Sequence, residues 1–181
     1  MLVLKRLSDV LLSLTGIILL LPLLLIMSLL VKLTIPGSVF FAQERVGKDK
    51  RVFRILKYRT MAAYGERSGK TAGIGKFLRR TKLDELPQLI NIMKGDMSFV
   101  GPRPYVPAES EGLSDERFAM RPGLTGLAQV NGNTCLSWAE RTEYDIEYVK
   151  KWSLLLDLRI IMRTVKVVVR GEEACVKHKQ G

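Results

Sequence analysis

Apolar residues are distributed unevenly along this chain, and the N-terminal part has the simplest pattern. Residues 10–31 include no charged side chain and lie between Asp9 and Lys32. At a helical rise of about 1.5 Å per residue this segment would be roughly 33 Å long, and the hydrocarbon core of a bilayer is about 30 Å thick. The segment is therefore predicted to be a membrane-embedded helix.

Two features of this segment argue against a straight crossing. Pro22 lies near its midpoint, where the missing N–H group frees the carbonyl of Ile18 and bends the helix. Lys5 and Arg6 precede the segment and Lys32 follows it, so the positive-inside rule favours both ends on the cytoplasmic side. We predict a re-entrant helix that is broken at Pro22. A spanning helix and a buried core helix are the alternatives.

Shorter patterns predict the elements that follow. Residues 38–42 and 52–58 are rich in Val, Phe and Ile and predict a β-hairpin. Residues 76–94 turn helical, and a helix is expected to begin close to Asp84, because Pro87 is tolerated only in a first turn. The predicted buried stripe of this helix consists of Leu86, Leu89, Ile90 and Met93. Loops are predicted at residues 65–75, with a turn at 73–76, and at residues 101–107 and 121–132.

Two further helices are predicted in the C-terminal part. Ser137 and Glu140 have the spacing of a capping box that opens a helix ending at about Lys151. The last helix begins near Ser153 and combines an apolar face with four basic residues, which suits the headgroup layer of an anionic leaflet. The alternative is a surface helix whose apolar face packs on its own domain. The apolar residues are Leu154, Leu158, Ile161, Met162, Val165 and Val169, and the basic ones are Arg159, Arg163, Lys166 and Arg170.

These elements together predict an α+β, mainly helical fold. The membrane anchor is expected to occupy residues 1–36, and a second, folded domain is expected to occupy residues 37–181. With 181 residues and 47% apolar content, the chain is long enough and apolar enough to build a packed core.

Positive charge is concentrated in one segment. The chain has a net charge of +11, and residues 43–82 hold thirteen basic and three acidic side chains, a balance of +10. This favours a polyanionic partner, which is phosphate, a lipid headgroup or nucleic acid. Cys135 and Cys175 lack the spacing of a zinc site or disulfide framework, and the single histidine is His178. Acid–base chemistry would therefore fall to carboxylates, lysines or tyrosines.

Asp84 and Glu85 form the strongest candidate for chemistry. They are expected at a helix N terminus after Arg79, Arg80 and Lys82, where the helix dipole and the flanking cations favour an ionised carboxylate and attract phosphate. Asp84 would then be a nucleophile for phosphoryl transfer, and Glu85 a ligand for Mg²⁺. The alternative is that both carboxylates serve only the helix dipole.

Three more cations are candidates for phosphate contacts. Strand alternation places Lys57 and Arg59 on one face, where they could grip a diphosphate; charges that protect an edge strand from aggregation are the alternative. Arg103 lies between Pro102 and Pro104, so its backbone is stiff and its guanidinium group can be presented at low entropic cost.

Several longer motifs resemble the bacterial sugar transferases, the monotopic phosphoglycosyl transferases. Residues 83–89 read Leu-Asp-Glu-Leu-Pro-Gln-Leu, and residues 94–104 read Lys-Gly-Asp-Met-Ser-Phe-Val-Gly-Pro-Arg-Pro. Residues 57–61, 121–126 and 129–132 resemble the same family, as does the apolar N-terminal helix with its central proline. This chain departs from the family pattern at Leu21, where Ser often precedes the proline, and at Asn133, where Arg is common.

The resemblance implies an activity and a set of partners. It implies transfer of a sugar 1-phosphate from a UDP-sugar to a polyprenol phosphate with release of UMP, at the cytoplasmic face of the bacterial inner membrane and in contact with its lipids. It implies a requirement for Mg²⁺ and no nucleic acid partner. A homo-oligomer stays open as an alternative to a monomer.

The resemblance also implies roles for individual residues. Asp84 would form a covalent aspartyl phosphosugar, Glu85 would be the Mg²⁺ ligand, and Lys57 and Arg103 would contact phosphate. Supporting roles are implied for Arg59, Arg79, Arg121, Asp145 and Asp157. Two rival functions remain open: a non-enzymatic, membrane-anchored module that binds anionic lipid or nucleic acid, and a direct glycosyltransferase that would release UDP.

Overall fold

The computed structural model describes residues 2–61 and 73–170, and its architecture is mainly helical with two small sheets in these residues. This confirms the predicted α+β, mainly helical class. The elements in chain order are α1 (Leu2–Thr34), β1 (Phe40–Val46), β2 (Val52–Tyr58), α2 (Gly73–Thr81), α3 (Gln88–Lys94), β3 (Ser98–Val100), α4 (Pro107–Ser110), β4 (Gly123–Thr125), α5 (Leu127–Val130), α6 (Trp138–Lys151) and α7 (Leu154–Arg170).

Helix α1 lies along the folded domain over most of its length. Near its start, Lys5 forms an ion pair with Asp157 of α7, with 2.6 Å between Nζ and Oδ2. Near its end, Met27 and Val31 are buried in a cluster with Tyr58 of β2. One stripe of α1 therefore faces protein, while its other apolar side chains are exposed.

Among the described residues, α1 is the one helix whose length and composition would allow it to cross a membrane. The helix continues on both sides of Pro22. Whether it bends back within a bilayer therefore stays a prediction.

The predicted hairpin is confirmed, with a longer first strand. β1 and β2 are antiparallel, with Phe40 opposite Tyr58 and Val46 opposite Val52. Strand β1 begins two residues later than the predicted segment and extends four residues beyond it, because pairing with β2 continues through the charged residues 44 and 45. The side chains in that stretch are polar, so the apolar pattern did not predict the second half of the strand.

The chain between the hairpin and Asp84 differs from the prediction. Residues 73–76 begin α2 and do not form a turn. Gly75 is needed there because a Cβ atom would overlap the backbone carbonyl of Thr60. The chain then reverses at Lys82, whose φ is +60°, and a short 3-10 turn over Leu83–Glu85 carries the two carboxylates. Most of the predicted loop at 65–75 lies outside the described residues.

Helix α3 begins at Gln88 and buries Leu89 as predicted, but the rest of its buried face differs from the prediction. Met93 was expected inside but is 38% exposed, whereas Asn91 and Ile92 are buried. The reason is a polar contact: the Asn91 side chain accepts from the backbone N–H of Leu56 and donates to the carbonyl of Arg54. This amide satisfies two backbone groups of β2 and so rotates α3 toward the hairpin. Gly95, with φ of +99°, ends the helix as predicted.

A second, parallel sheet joins a strand just before the predicted loop at 101–107 to a strand within the predicted loop at 121–132. Ser98 of β3 lies opposite Gly123 of β4, and Val100 lies opposite Thr125. Strands of three residues are too short to show an alternating pattern, which is why the sequence did not reveal them. The parallel pair holds residues 101–107 against residues 121–132, so both segments reach the same side of the domain.

The two C-terminal helices agree with the prediction. Helix α6 opens with the expected capping box, in which Ser137 N–H donates to Glu140 Oε2 at 2.6 Å and the Ser137 hydroxyl accepts from Glu140 N–H at 3.3 Å. Helix α7 buries Asp157 and Ile160 but leaves Leu158, Met162 and Val169 exposed, the last at 79%. Most of the predicted apolar face of α7 is thus uncovered by its own domain. Arg159, Arg163 and Lys166 lie on the same helix, which ends at Arg170.

Candidate active site

A cavity of about 50 Å³ lies between the hairpin, α3 and the loop that follows β3. Its polar lining consists of Arg45, Lys57, Glu85, Gln88, Arg103 and Gln129. Three of these side chains are cationic and one is anionic, so the cavity suits an anionic ligand. Of the predicted site residues, Lys57, Glu85 and Arg103 meet here although they lie far apart in the chain.

Asp84 precedes the cavity residue Glu85 and is itself buried, with 7% of its surface exposed. Its Oδ1 atom is buried and has no hydrogen-bond partner. Burial, and then the neighbouring charge of Glu85, raise the pKa of Asp84, while Lys57 and Lys82 oppose this rise. The flanking cations predicted that the ionised form of Asp84 would be stabilised. In the structure, the effect of burial on its pKa is larger than the effect of these cations.

Glu85 and Lys57 form an ion pair across the cavity wall. The distance from Lys57 Nζ to Glu85 Oε1 is 2.6 Å, and 27% of each side chain is exposed. Solvent therefore reaches both groups, and each can exchange its partner for a ligand. The pair fixes Asp84 relative to the end of β2, because Glu85 is its direct neighbour.

Arg103 is held at the cavity by contacts to both its backbone and its side chain. Its guanidinium donates to Asn133 Oδ1 at 2.9 Å. Its backbone N–H donates to Asp145 Oδ1 at 3.4 Å, and its carbonyl accepts from Arg117 Nη2 at 2.7 Å. Asp145 therefore supports the site through the backbone N–H of Arg103. Arg117, which was not predicted from the sequence, holds the same residue through its carbonyl.

The sequence analysis also missed Arg45 and Gln88. Strand register could have indicated Arg45: it lies opposite Phe53, which is on the same face of β2 as Lys57. Gln88 follows Asp84 by four residues, a spacing that places side chains on one side of a helical turn. Strand register and the four-residue spacing show only that two residues share a face. They indicate a site residue only when the position of the site is already known.

The other predicted site residues lie elsewhere. Arg59 donates to the Ser38 hydroxyl at 2.7 Å, Arg79 is exposed on α2, and Arg121 donates through Nε to the carbonyl of Gly95 at 2.8 Å. Asp157 accepts from Lys5, from the Tyr148 hydroxyl at 2.7 Å and from Trp152 Nε1 at 3.1 Å. Of these four, none lines the cavity.

The fit of a metal ion depends on the two carboxylates. Mg²⁺ is usually held by one or two carboxylates together with substrate phosphates and water. Asp84 and Glu85 supply hard oxygen ligands, and the buried, unpartnered Oδ1 atom of Asp84 provides one such oxygen. Within the described ranges no group of three or more metal-ligating side chains exists. The residues therefore fit an ion that is completed by substrate and do not fit an all-protein metal cage.

The Asp84–Glu85 pair adjoins a cavity with three cations, on a domain whose first helix is long and apolar enough to cross a membrane, and this arrangement suits phosphate chemistry. The sequence model of the bacterial sugar transferases matches residues 1–171, and the chain belongs to this family.

Curated relatives support the assignment. The exopolysaccharide production protein ExoY of Sinorhizobium fredii is 38% identical over 91% of this chain and 84% of its own length. The UDP-glucose:undecaprenyl-phosphate glucose-1-phosphate transferase of Escherichia coli K12 is 37% identical over 90% of this chain. The UDP-N-acetylgalactosamine-undecaprenyl-phosphate N-acetylgalactosaminephosphotransferase of Aeromonas hydrophila is 37% identical over 92% of this chain. The match spans only 39% and 44% of these last two proteins.

Proposed function

We propose that the chain transfers a sugar 1-phosphate from a UDP-sugar to a polyprenol phosphate, such as undecaprenyl phosphate, and releases UMP. The observation that carries this proposal is the buried Asp84, whose Oδ1 atom has no hydrogen-bond partner and whose chain neighbour Glu85 lines a cavity with three cations. The relatives named for sugar-1-phosphate transfer to undecaprenyl phosphate support the same class of reaction. Their names differ in the sugar, so the sugar of this chain is left to experiment.

The proposed chemistry consists of two displacements at one phosphorus atom. An oxygen of Asp84 attacks the phosphorus that carries the sugar, the bond from that phosphorus to the bridging oxygen breaks, and UMP leaves with the bonding electrons. A phosphate oxygen of the polyprenol phosphate then attacks the same phosphorus. The aspartyl bond breaks, Asp84 is restored as a carboxylate, and the sugar leaves on the lipid as a diphosphate.

The cavity residues have distinct proposed roles in this scheme. Lys57 and Arg103 bind phosphate oxygens, and Glu85 would hold Mg²⁺. When bound, the ion would neutralise charge on the diphosphate. Because Lys57 pairs with Glu85 at 2.6 Å and both side chains are partly exposed, we expect Lys57 to move from Glu85 to a phosphate oxygen as the substrate binds.

The membrane would present the lipid substrate at headgroup depth. Both ends of α1 contact the same domain, through Lys5 with Asp157 and through Val31 with Tyr58. A helix that crosses the bilayer would carry one end about 30 Å away from a domain on the other side. The exposed apolar faces of α1 and α7 support an arrangement in which both helices enter the cytoplasmic leaflet of the inner membrane from one side.

The test is a release assay with the purified, detergent-solubilised full chain and a panel of UDP-sugars. We expect UMP as the nucleotide product, a protein-bound phosphosugar on Asp84 when the acceptor is omitted, and loss of both with Asp84→Asn. Release of UDP would instead indicate a direct glycosyltransferase. Salt-sensitive binding of lipid vesicles or nucleic acid, unchanged by Asp84→Asn and without any nucleotide release, would indicate a binding module.

A further inference from the structure

The cavity has a second polar group that the chemistry above does not use. It consists of Arg45 and Gln88, which line the cavity together with Lys57 and Arg103. A role for these two side chains in a step of the same reaction rests on the proposed function.

Arg45 is held in place by neutral groups. Its Nη2 donates to Gln43 Oε1 at 2.6 Å and its Nη1 donates to the Pro104 carbonyl at 3.2 Å. Neither acceptor carries a charge that would offset the guanidinium group, and Nε is buried without a partner. Burial lowers the pKa of Arg45, Glu109 opposes this, Arg103 lowers it further, and Glu85 of the same cavity opposes the lowering. The folded protein therefore keeps a partly desolvated cation beside a second one, an arrangement that an anion would stabilise.

Gln88 presents a second donor to the same cavity. The residue is 2% exposed, and its Nε2 atom is buried without a hydrogen-bond acceptor. A buried amide that lacks a partner costs free energy in the folded protein, so its presence beside a cavity indicates a ligand that accepts from it. Gln88 is the first residue of α3 and follows Asp84 by four residues in the chain.

The proposed reaction needs an anion site that faces Asp84 across the reacting phosphorus. Phosphoryl transfer proceeds with the attacking and the leaving oxygen roughly in line. Asp84 occupies one of these two positions in both half-reactions. The departing UMP phosphate and the entering polyprenol phosphate must therefore take the same opposite position, one after the other.

We propose that Arg45 and Gln88 form one phosphate subsite, which holds the nucleotide α-phosphate in the first half-reaction and the polyprenol phosphate in the second. Both ligands present the same chemistry, a phosphate group with free oxygens, and the planar guanidinium group suits bidentate contact with such oxygens. The bulky parts of the ligands, uridine and polyprenol, would then extend from this subsite in different directions.

The two half-reactions are measured separately to test this proposal. The first is the burst of UMP from enzyme and UDP-sugar without acceptor. The second is transfer from enzyme preloaded with phosphosugar to polyprenol phosphate. We expect Arg45→Gln to slow both about 100-fold and Gln88→Leu to slow both about tenfold, as removal of single transition-state donors does. Arg45→Lys should recover part of the rate, because it restores the charge without the planar fork.

Arg54→Gln is the matched control. Arg54 is on the other strand of the same hairpin, its side chain is 76% exposed, and the substitution removes the same charge. We expect both half-reactions to keep the wild-type rate. A second readout is calorimetric binding of UMP to the Asp84→Asn protein, which adding Arg45→Gln should weaken at least tenfold without a loss of thermal stability.

Three outcomes would overturn the shared subsite. Wild-type rates in Arg45→Gln would remove Arg45 from the reaction. A loss confined to one half-reaction would assign the residue to one ligand only. Unchanged UMP affinity combined with a lower melting temperature would make its role structural. These outcomes differ from failure of the proposed function, in which the wild-type chain releases no UMP from any UDP-sugar.

Discussion

Arg117 and Asp145 form a buried ion pair, with 2.6 Å between Nη2 and Oδ2 and 1% of each side chain exposed. Both residues also contact the backbone of Arg103. The pair thus connects the interior of α6 to Arg103, a cation that lines the cavity. Its stabilising effect depends on the presence of both partners, because either charge alone would be buried without compensation.

Asp145→Ala is expected to destabilise the protein by about 3 kcal/mol, as loss of one partner of a buried pair does. It should also lower activity, because the backbone of Arg103 loses one of its contacts. Denaturant unfolding and UMP release measure the two effects. Glu147→Ala is the control on the same helix, since its pair with Lys151 is exposed, and we expect a change below about 0.5 kcal/mol. Equal effects of the two substitutions would contradict the structural role of the buried pair.

Asp84→Asn is expected to abolish turnover and to stabilise the fold. Burial raises the pKa of Asp84 above its value in the unfolded chain, so the native state favours the protonated acid. Stability from this group is present at low pH and is lost as the pH rises through the native pKa. At neutral pH an uncharged amide at this position avoids that loss. We therefore expect the free energy of unfolding of Asp84→Asn to exceed that of wild type by about 1 kcal/mol, which corresponds to roughly 2–4 °C in Tm for a domain of this size.

The pH dependence separates this effect from general stabilisation. The Tm difference between Asp84→Asn and wild type should shrink as the pH falls below the pKa of Asp84, because the wild-type carboxyl is then neutral too. Asp49→Asn is the control, since the Asp49 side chain is 60% exposed. If Asp84→Asn lowers Tm at neutral pH, the carboxylate has a stabilising partner in the folded protein.

The contact between Lys5 and Asp157 predicts the topology of the membrane helix. A 2.6 Å ion pair requires the start of α1 to lie on the same side of the membrane as α7. In a chain with Cys135 and Cys175 replaced by Ser, we expect Val3→Cys to resist an impermeant maleimide added outside spheroplasts and to react after permeabilisation. Glu111→Cys, on an exposed part of the domain, should behave identically. Labelling of Val3→Cys alone from outside would establish a spanning helix.

Two glycines of α2 provide a paired test of packing. Gly75→Ala should destabilise by about 1–3 kcal/mol, because the new Cβ would overlap the carbonyl of Thr60 and push α2 from the hairpin. Gly73→Ala meets no atom within 4 Å and should be neutral or stabilising by up to about 1 kcal/mol, since Ala favours helix. Thermal unfolding of the two variants, under the same detergent conditions, measures the difference. Similar melting temperatures would show that α2 tolerates displacement.

Features with a local physical signal could be predicted from the sequence. Capping at Ser137, the stop at Gly95 and the length of the first apolar segment depend on neighbouring residues alone, and the structure agrees with each. The Asp84–Glu85 pair and its flanking motifs likewise identified the family. The hairpin was found from its apolar residues, although its first strand was predicted too short, since side chains with charge also pair in strands.

The composition of the site required the tertiary structure. Lys57 reaches Glu85 across 28 residues of chain, and Arg103 reaches Asn133 across 30. No short-range period specifies such contacts. Arg59 and Arg121 were predicted to support the site beside Lys57 and Arg103, but in the structure they contact Ser38 and Gly95 and do not line the cavity.

The sequence by itself therefore determined the long apolar first helix, the main helices, the hairpin and the carboxylate pair, because helix caps, periodicity and charge act over a few residues. Only the tertiary structure decided which cations meet that pair, which polar side chains are buried without partners, and that Arg45 and Gln88 share one cavity. Burial is a property of the packed whole, and the free energy of a charge or an amide depends on how much water that packing excludes.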